Sequence, residues 1–130
     1  MIFDSNLIIY SVQLGNEALL SFMEQMTPSV SEASEVEVLG FHELSPIDKP
    51  KLEKFFATAR LLPISRAVNL RAISLRQARN ISLGDALISA TALVHDLELQ
   101  TYNLHDFRGI SGLRINDPIP ALGITLKPSP

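Results

Sequence analysis

The amino-acid sequence predicts an α/β domain built on a short, mostly parallel central sheet. Three observations lead there. Short apolar runs alternate with longer stretches of helical periodicity, the pattern of strands joined by crossover helices. The chain has 130 residues, 46% hydrophobic and 19% charged, which is enough apolar material for one real core and too much for disorder. In a chain with so few charges, acids recur at the ends of the buried elements, and open parallel sheets collect ligands at the carboxyl ends of their strands.

Taken in order, Ile2 and Phe3 form a very short first strand that runs straight into Asp4, Ser5 and Asn6. Leu7, Ile8, Tyr10, Val12 and Leu14 begin a helical stretch. A second helix spans residues 16–26, with Leu19, Leu20, Phe22, Met23 and Met26 on one face. Pro28 ends it. Residues 29–31 are a candidate second strand, and residues 33–41 return to helix. A linker then leads into a helix over 47–59 with Leu52, Phe55 and Phe56 inward, and a third strand over 61–64. Ser65 is a natural N-cap for the helix that follows to about Ala78. Residues 83–96 read as a long buried helix, 97–102 as the fourth strand, and 113–115 as an edge strand. The whole chain, 1–130, is expected to be one domain with a Pro-rich tail from about residue 117.

Composition excludes several classes. With no cysteine there is no disulfide, thiolate metal site or cysteine nucleophile, and the balance leans towards a cytoplasmic protein. Asp4 interrupts the N-terminus before any signal-like apolar run develops. The charge-free apolar stretch 86–94 is far short of the roughly 20 residues a membrane helix needs, so no membrane partner is expected. Net charge is −3 and gives no general argument for nucleic acid. Its distribution is more telling. No acid occurs between Glu53 and Asp85, whereas Lys54, Arg60, Arg66, Arg71, Arg76 and Arg79 all do. Such a run is either a solvated helix face or a basic rim for a polyanion, with Arg71, Arg76 and Arg79 the candidate contacts.

Four acids stand out as a candidate cation site: Asp4 after the first strand, Glu37 in a helix, Asp85 at the start of the long helix, and Asp106 past the fourth strand. Hard oxygen ligands of this kind bind Mg²⁺ or Mn²⁺. Each acid also suits a purely structural role. Asp4 can cap a helix, Ser34-x-x-Glu37 and Ser82-x-x-Asp85 both match capping boxes, and Asp106 and Asn103 suit turns. Other constellations are poor. His42, His95 and His105 lack the spacing of a zinc helix, and no Gly-rich phosphate loop or serine elbow exists. A receiver-type phosphoacceptor would need adjacent acids after the first strand, where Asp4 stands alone.

Four motifs occur in order. They are D-S-N at 4–6, S-E-A-S-E-V-E-V-L-G-F at 31–41, G-D-A-L-I-S-A-T-A-L at 84–93 and L-x-T-Y-N-L-H-D-F at 99–107. Together they resemble the PIN-domain family of metal-dependent ribonucleases, and within it the VapC toxins of bacterial toxin–antitoxin pairs. The resemblance implies a three-layer α/β/α fold and Mg²⁺ (or Mn²⁺) held by Asp4, Glu37, Asp85 and Asp106, which are then the catalytic acids. Asn6, Asn103 and Thr101 would support them. It further implies cleavage of RNA by metal-activated water, leaving 5′-phosphate and 3′-hydroxyl ends, and a small DNA-binding antitoxin as partner. Tyr102 departs from the arginine that many relatives carry. A nuclease outside any toxin system, or a non-catalytic binding module of the same fold, is the alternative. A mean hydropathy of +0.19 suggests an apolar interface, for a homodimer or an antitoxin segment.

Overall fold

The structure is a computed structural model, and it describes residues 1–126. Its elements run β1 (Ile2–Phe3), α1 (Ser5–Ser11), α2 (Glu17–Gln25), β2 (Ser29–Ser31), α3 (Glu32–Leu39), α4 (Asp48–Thr58) and β3 (Arg60–Leu62). They continue with α5 (Arg66–Ala78), α6 (Leu83–His95), β4 (Leu99–Gln100), α7 (Leu104–Phe107), β5 (Ile115–Asn116) and α8 (Ile119–Leu122). The five strands form one sheet in the order β3-β2-β1-β4-β5, and every pairing is parallel. Strand order reverses between β1 and β4, so the cleft above their carboxyl ends is where such a sheet binds ligands.

Residues on a strand alternate between faces, and two residues suffice to serve both. Ile2 joins a core with Leu62, Val68, Ala72, Ala86, Ile88, Ala90, Leu99 and Phe107, beneath α5 and α6. Phe3 joins the opposite core with Leu7, Ile8, Leu19, Met23, Val38, Leu52, Phe55 and Phe56, beneath α1 to α4. Three layers follow from this, as expected. The three inner strands, β2, β1 and β4, persist at this length because both faces are covered and their residues are buried throughout; the edge strands β3 and β5 are partly exposed.

Local capping sets several boundaries. Ser31 Oγ accepts from the Ala33 amide at 3.0 Å, so α3 begins one residue earlier than expected, and Ser34 lies inside it. The Ser34–Glu37 capping box is therefore not formed; both side chains are released for other contacts. Ser65 caps α5 through the Val68 amide at 3.2 Å, as its position predicts. Asp96 ends α6 in the left-handed region (φ 53°), and the Leu97 amide bonds back to the Ala92 carbonyl. That turn takes up the start of the expected fourth strand and trims it to Leu99–Gln100. The edge strand sits slightly later than its apolar run, at Ile115–Asn116, where it pairs with β4. In the Pro-rich segment, α8 packs beside α2 and buries Ile119 in the second core. The last four residues of the expected tail lie outside the described residues.

Ile88, with no exposure at the centre of α6, should destabilise the fold by about 2–5 kcal/mol when changed to Ala. Leu14→Ala, at a side chain 89% exposed, should change stability by less than about 0.5 kcal/mol. Urea denaturation of the two variants tests this assignment of the core.

Candidate active site

Asp4 leaves the end of β1 at the point where strand order reverses. Its amide donates to the Gln100 carbonyl at 3.0 Å, which ties it to the neighbouring β4. Backbone geometry makes it the N-cap residue of α1, yet its carboxylate makes no capping bond. Instead Oδ2 accepts from the Thr101 hydroxyl at 2.9 Å, across the gap between the two strands. Thr101 Oγ1 in turn accepts the Asn103 amide at 3.0 Å, which shapes the loop leading into α7. Asp4 is only 3% exposed. Burial pushes its carboxyl up to about 6, and the nearby charges of Asp85 and Glu37 add to the rise against the lowering effect of the Thr101 bond.

Glu37 reaches the same region from α3. Its Oε1 accepts from the Ser5 hydroxyl at 2.8 Å, and Ser5 Oγ lies 3.0 Å from the buried Ser34 Oγ. Asp85 stands in the first turn of α6, where its amide donates to the capping Ser82 Oγ at 3.1 Å. Its carboxyl is also raised, first by burial and then by the charges of Asp106 and Glu37, with the Ser82 bond opposing. So Asp4, Glu37 and Asp85 all feel one another, and Asp106 is coupled to Asp85. Asp106 itself is exposed on α7. Asn103 precedes α7 as its N-cap residue, and Asn6 is exposed on α1.

No basic side chain pairs with any of these four acids among the described residues; the two acid–base contacts there, His42 with Glu43 and Arg114 with Asp96, lie elsewhere. Nor do three of the acids close into a ready-made cage among the described residues. Uncompensated carboxylates repel, and separation is their expected geometry until a cation joins them. An all-oxygen donor set, partly desolvated and without a protein counter-ion, fits a hard divalent ion such as Mg²⁺ or Mn²⁺.

None of the three arginines forms an ion pair with these acids among the described residues. Arg71 and Arg79 line a cavity of about 470 Å³ with Ser74, Gly109 and Ser111. Arg79 Nη1 donates to the Arg108 carbonyl at 2.9 Å and Nη2 to the Asp106 carbonyl at 3.4 Å, bracing the end of α7 from α5. Arg76 Nε donates to the Ile81 carbonyl at 3.3 Å. Beside the acids, a second cavity of about 360 Å³ is lined by Ala33, Val36, Glu37, Ile64, Leu83, Gly84 and Leu87. Sequence reasoning missed Ser5 and Ser34. Ser5 lies inside the D-S-N motif, but a hydroxyl there has no periodic signature; only packing of α1 on α3 brings it to Glu37.

Residues 1–113 match the PIN domain family. The chain belongs to that family. Among solved structures it is similar to a toxin–antitoxin complex from Klebsiella pneumoniae, at 29% identity and a TM-score of 0.70 over 90% of this chain and 96% of that one. It also resembles DNA-bound VapBC from Salmonella typhimurium, at 20% identity and a TM-score of 0.75 over 89% and 96%. VapBC2 from Rickettsia felis, bound to a DNA fragment from its promoter, matches at 19% identity and a TM-score of 0.74 over 89% and 98%. At the last two identities the likeness is one of fold. Comparison with curated proteins finds no match.

The raised Asp4 carboxyl sets a pH dependence for the metal-free protein. Its ordinary value is 3.8 and its folded value about 6. Below roughly pH 4 the group is neutral in both states, and its burial carries no charge penalty. As pH rises through the folded value, the unfolded chain gains more from ionisation, and up to about 3 kcal/mol of stability is lost. Asp4→Asn should therefore be more stable than wild type at pH 8 in EDTA, and the gap should close towards pH 4. Thermal melts across this range test it; equal stability at pH 8 would show that the buried charge is compensated.

Proposed function

We propose that this protein is a divalent-metal-dependent endoribonuclease and the toxin member of a toxin–antitoxin pair. The observation that carries the reading is the group of four carboxylates, unpaired with any base among the described residues, above the strand-order reversal of a PIN domain. Asp4, Glu37, Asp85 and Asp106 would hold Mg²⁺ or Mn²⁺, with Asn6 and Asn103 in support. The ion, when bound, supplies Lewis acidity toward a phosphate and lowers the pKa of water.

The protein's own residues do the rest. Thr101 holds one oxygen of the Asp4 carboxylate and the Ser5 hydroxyl holds one oxygen of Glu37, so neutral donors orient both acids. Burial of Asp4 makes its charge costly without a cation and so favours metal entry over a vacant site. No side-chain nucleophile is needed, in keeping with the absence of cysteine. Arg71, Arg76 and Arg79 supply positive charge from α5, and Arg71 has the freest guanidinium of the three for a backbone phosphate. RNA as substrate rests on the family.

Partner binding is supported by the groove beside Glu37, whose rim residues Val36 and Leu83 are 70% and 59% exposed. An apolar segment of a small DNA-binding antitoxin suits it. The similar solved structures, which are toxin–antitoxin complexes, favour that partner; a homodimer would use other exposed apolar surface such as Leu70 and Ile73 of α5. No helix among the described residues is long and apolar enough to cross a membrane, and the reading is of a cytoplasmic protein.

Incubated with total RNA, the protein should cleave in Mg²⁺ and stop in EDTA, with 5′-phosphate and 3′-hydroxyl fragment ends. Asp4→Asn and Asp85→Asn should each reduce cleavage by more than the roughly 10–100-fold that loss of a supporting residue causes at a metal site. Full activity in both variants would refute the enzyme reading. Arg71→Ala should weaken RNA binding and lower the salt slope of the binding constant by roughly one. An unchanged slope would remove Arg71 from the interface.

A further inference from the structure

We propose that Gly84 is a positioning residue of this site: its missing Cβ is the seat of the Glu37 carboxylate. The inference rests on Glu37 acting as a metal ligand and adds how that ligand is held. A Cβ built on Gly84 would overlap Glu37 Oε2 and come within 2.7 Å of Cδ and 2.9 Å of Oε1. These are the three nearest atoms, and all three belong to the Glu37 carboxylate. From the other side the Ser5 hydroxyl donates to Oε1 at 2.8 Å. The carboxylate is thus held between a hydroxyl on α1 and bare backbone on α6.

Glycine has no local reason to be there. Gly109, Gly112 and Gly123 adopt positive φ, where other residues are strained, but Gly84 is a helical residue in the first turn of α6 without that geometry. Within a helix glycine is less favourable than alanine. The unfavourable residue is explained by what it admits. Gly84 is also the immediate neighbour of Asp85, so the seat brings the α3 acid beside the first turn that carries the α6 acid. An added methyl group would first meet the far end of a flexible side chain. Glu37 would swing away from Asp4 and Asp85 and the fold would stay intact.

Stability and metal binding should therefore move in opposite directions. Gly84→Ala in EDTA should melt at or above the wild-type temperature, while its affinity for Mn²⁺ alone, read by calorimetry or electron paramagnetic resonance, falls at least about 10-fold. Mg²⁺-dependent cleavage should fall with it. In a Glu37→Ala background the Gly84 change should have no further effect on Mn²⁺ affinity. Unchanged Mn²⁺ affinity in Gly84→Ala, an equal loss in the Glu37→Ala background, or a lowered melting temperature would each overturn the proposal. If wild type itself binds no Mn²⁺, the metal reading falls first. Crystals then judge the seat separately: an identical Glu37 rotamer in wild type and Gly84→Ala overturns it.

Discussion

The hydrogen bond from Thr101 to Asp4 spans the one place in the sheet where strand order reverses. A carboxylate that is 3% exposed is held there by a neutral hydroxyl, and no positive side chain among the described residues pairs with it. Its backbone is tied to β4, since the Asp4 amide donates to the Gln100 carbonyl. Removing a charge from water without pairing it is unfavourable. The two apolar cores on either side of β1 must supply the compensating stability. Asp4 sits where it does because Ile2 and Phe3 anchor the strand just before it to both cores.

Neutral groups recur around the other acids. Ser5 donates to Glu37, Ser82 caps the helix whose first turn carries Asp85, and Arg79 bonds to the carbonyl of Asp106 while its charge is directed at the backbone. Hydroxyls and amides orient a carboxylate without neutralising it. A lysine or arginine in the same place would orient it and also remove the electrostatic reason to bind a cation. The arrangement leaves net negative charge in a cleft partly shielded from solvent. Its energetic deficit falls when a divalent ion enters, so the structure couples stability to metal occupancy.

Much of the architecture was legible in the chain. Alternation of short apolar runs with helical periodicity marked all five strands and the order of the principal helices, and Ser65 was readable as a cap. The errors were local. Ser34 and Glu37 have the spacing of a capping box, but Ser31 lies three residues earlier and takes the cap, because β2 ends there and its hydroxyl already faces the first free amides. The fourth strand reads six residues long from its apolar content, yet the left-handed turn at Asp96 uses its first residues to finish α6. The short helix after Pro118 was hidden by proline content, although Ile119 had a core to enter.

The order Asp4, Glu37, Asp85 and Asp106 along the chain came from sequence alone, as did the places of Asp4 after β1 and Asp85 in the first turn of α6, because local periodicity and capping chemistry reveal where those elements start and stop. Which side chains meet was decided only by the tertiary structure. Ser5 and Glu37 are 32 positions apart, and Thr101 and Asp4 are 97 apart. Their contacts depend on how α1, α3 and α6 pack across a twisted sheet, which no periodic pattern encodes. The same holds for Arg79, which reads as a phosphate ligand in the chain and bonds to the carbonyls of Asp106 and Arg108 in the fold. It holds most clearly for Gly84, whose value lies in an atom it lacks and in a neighbour from another helix.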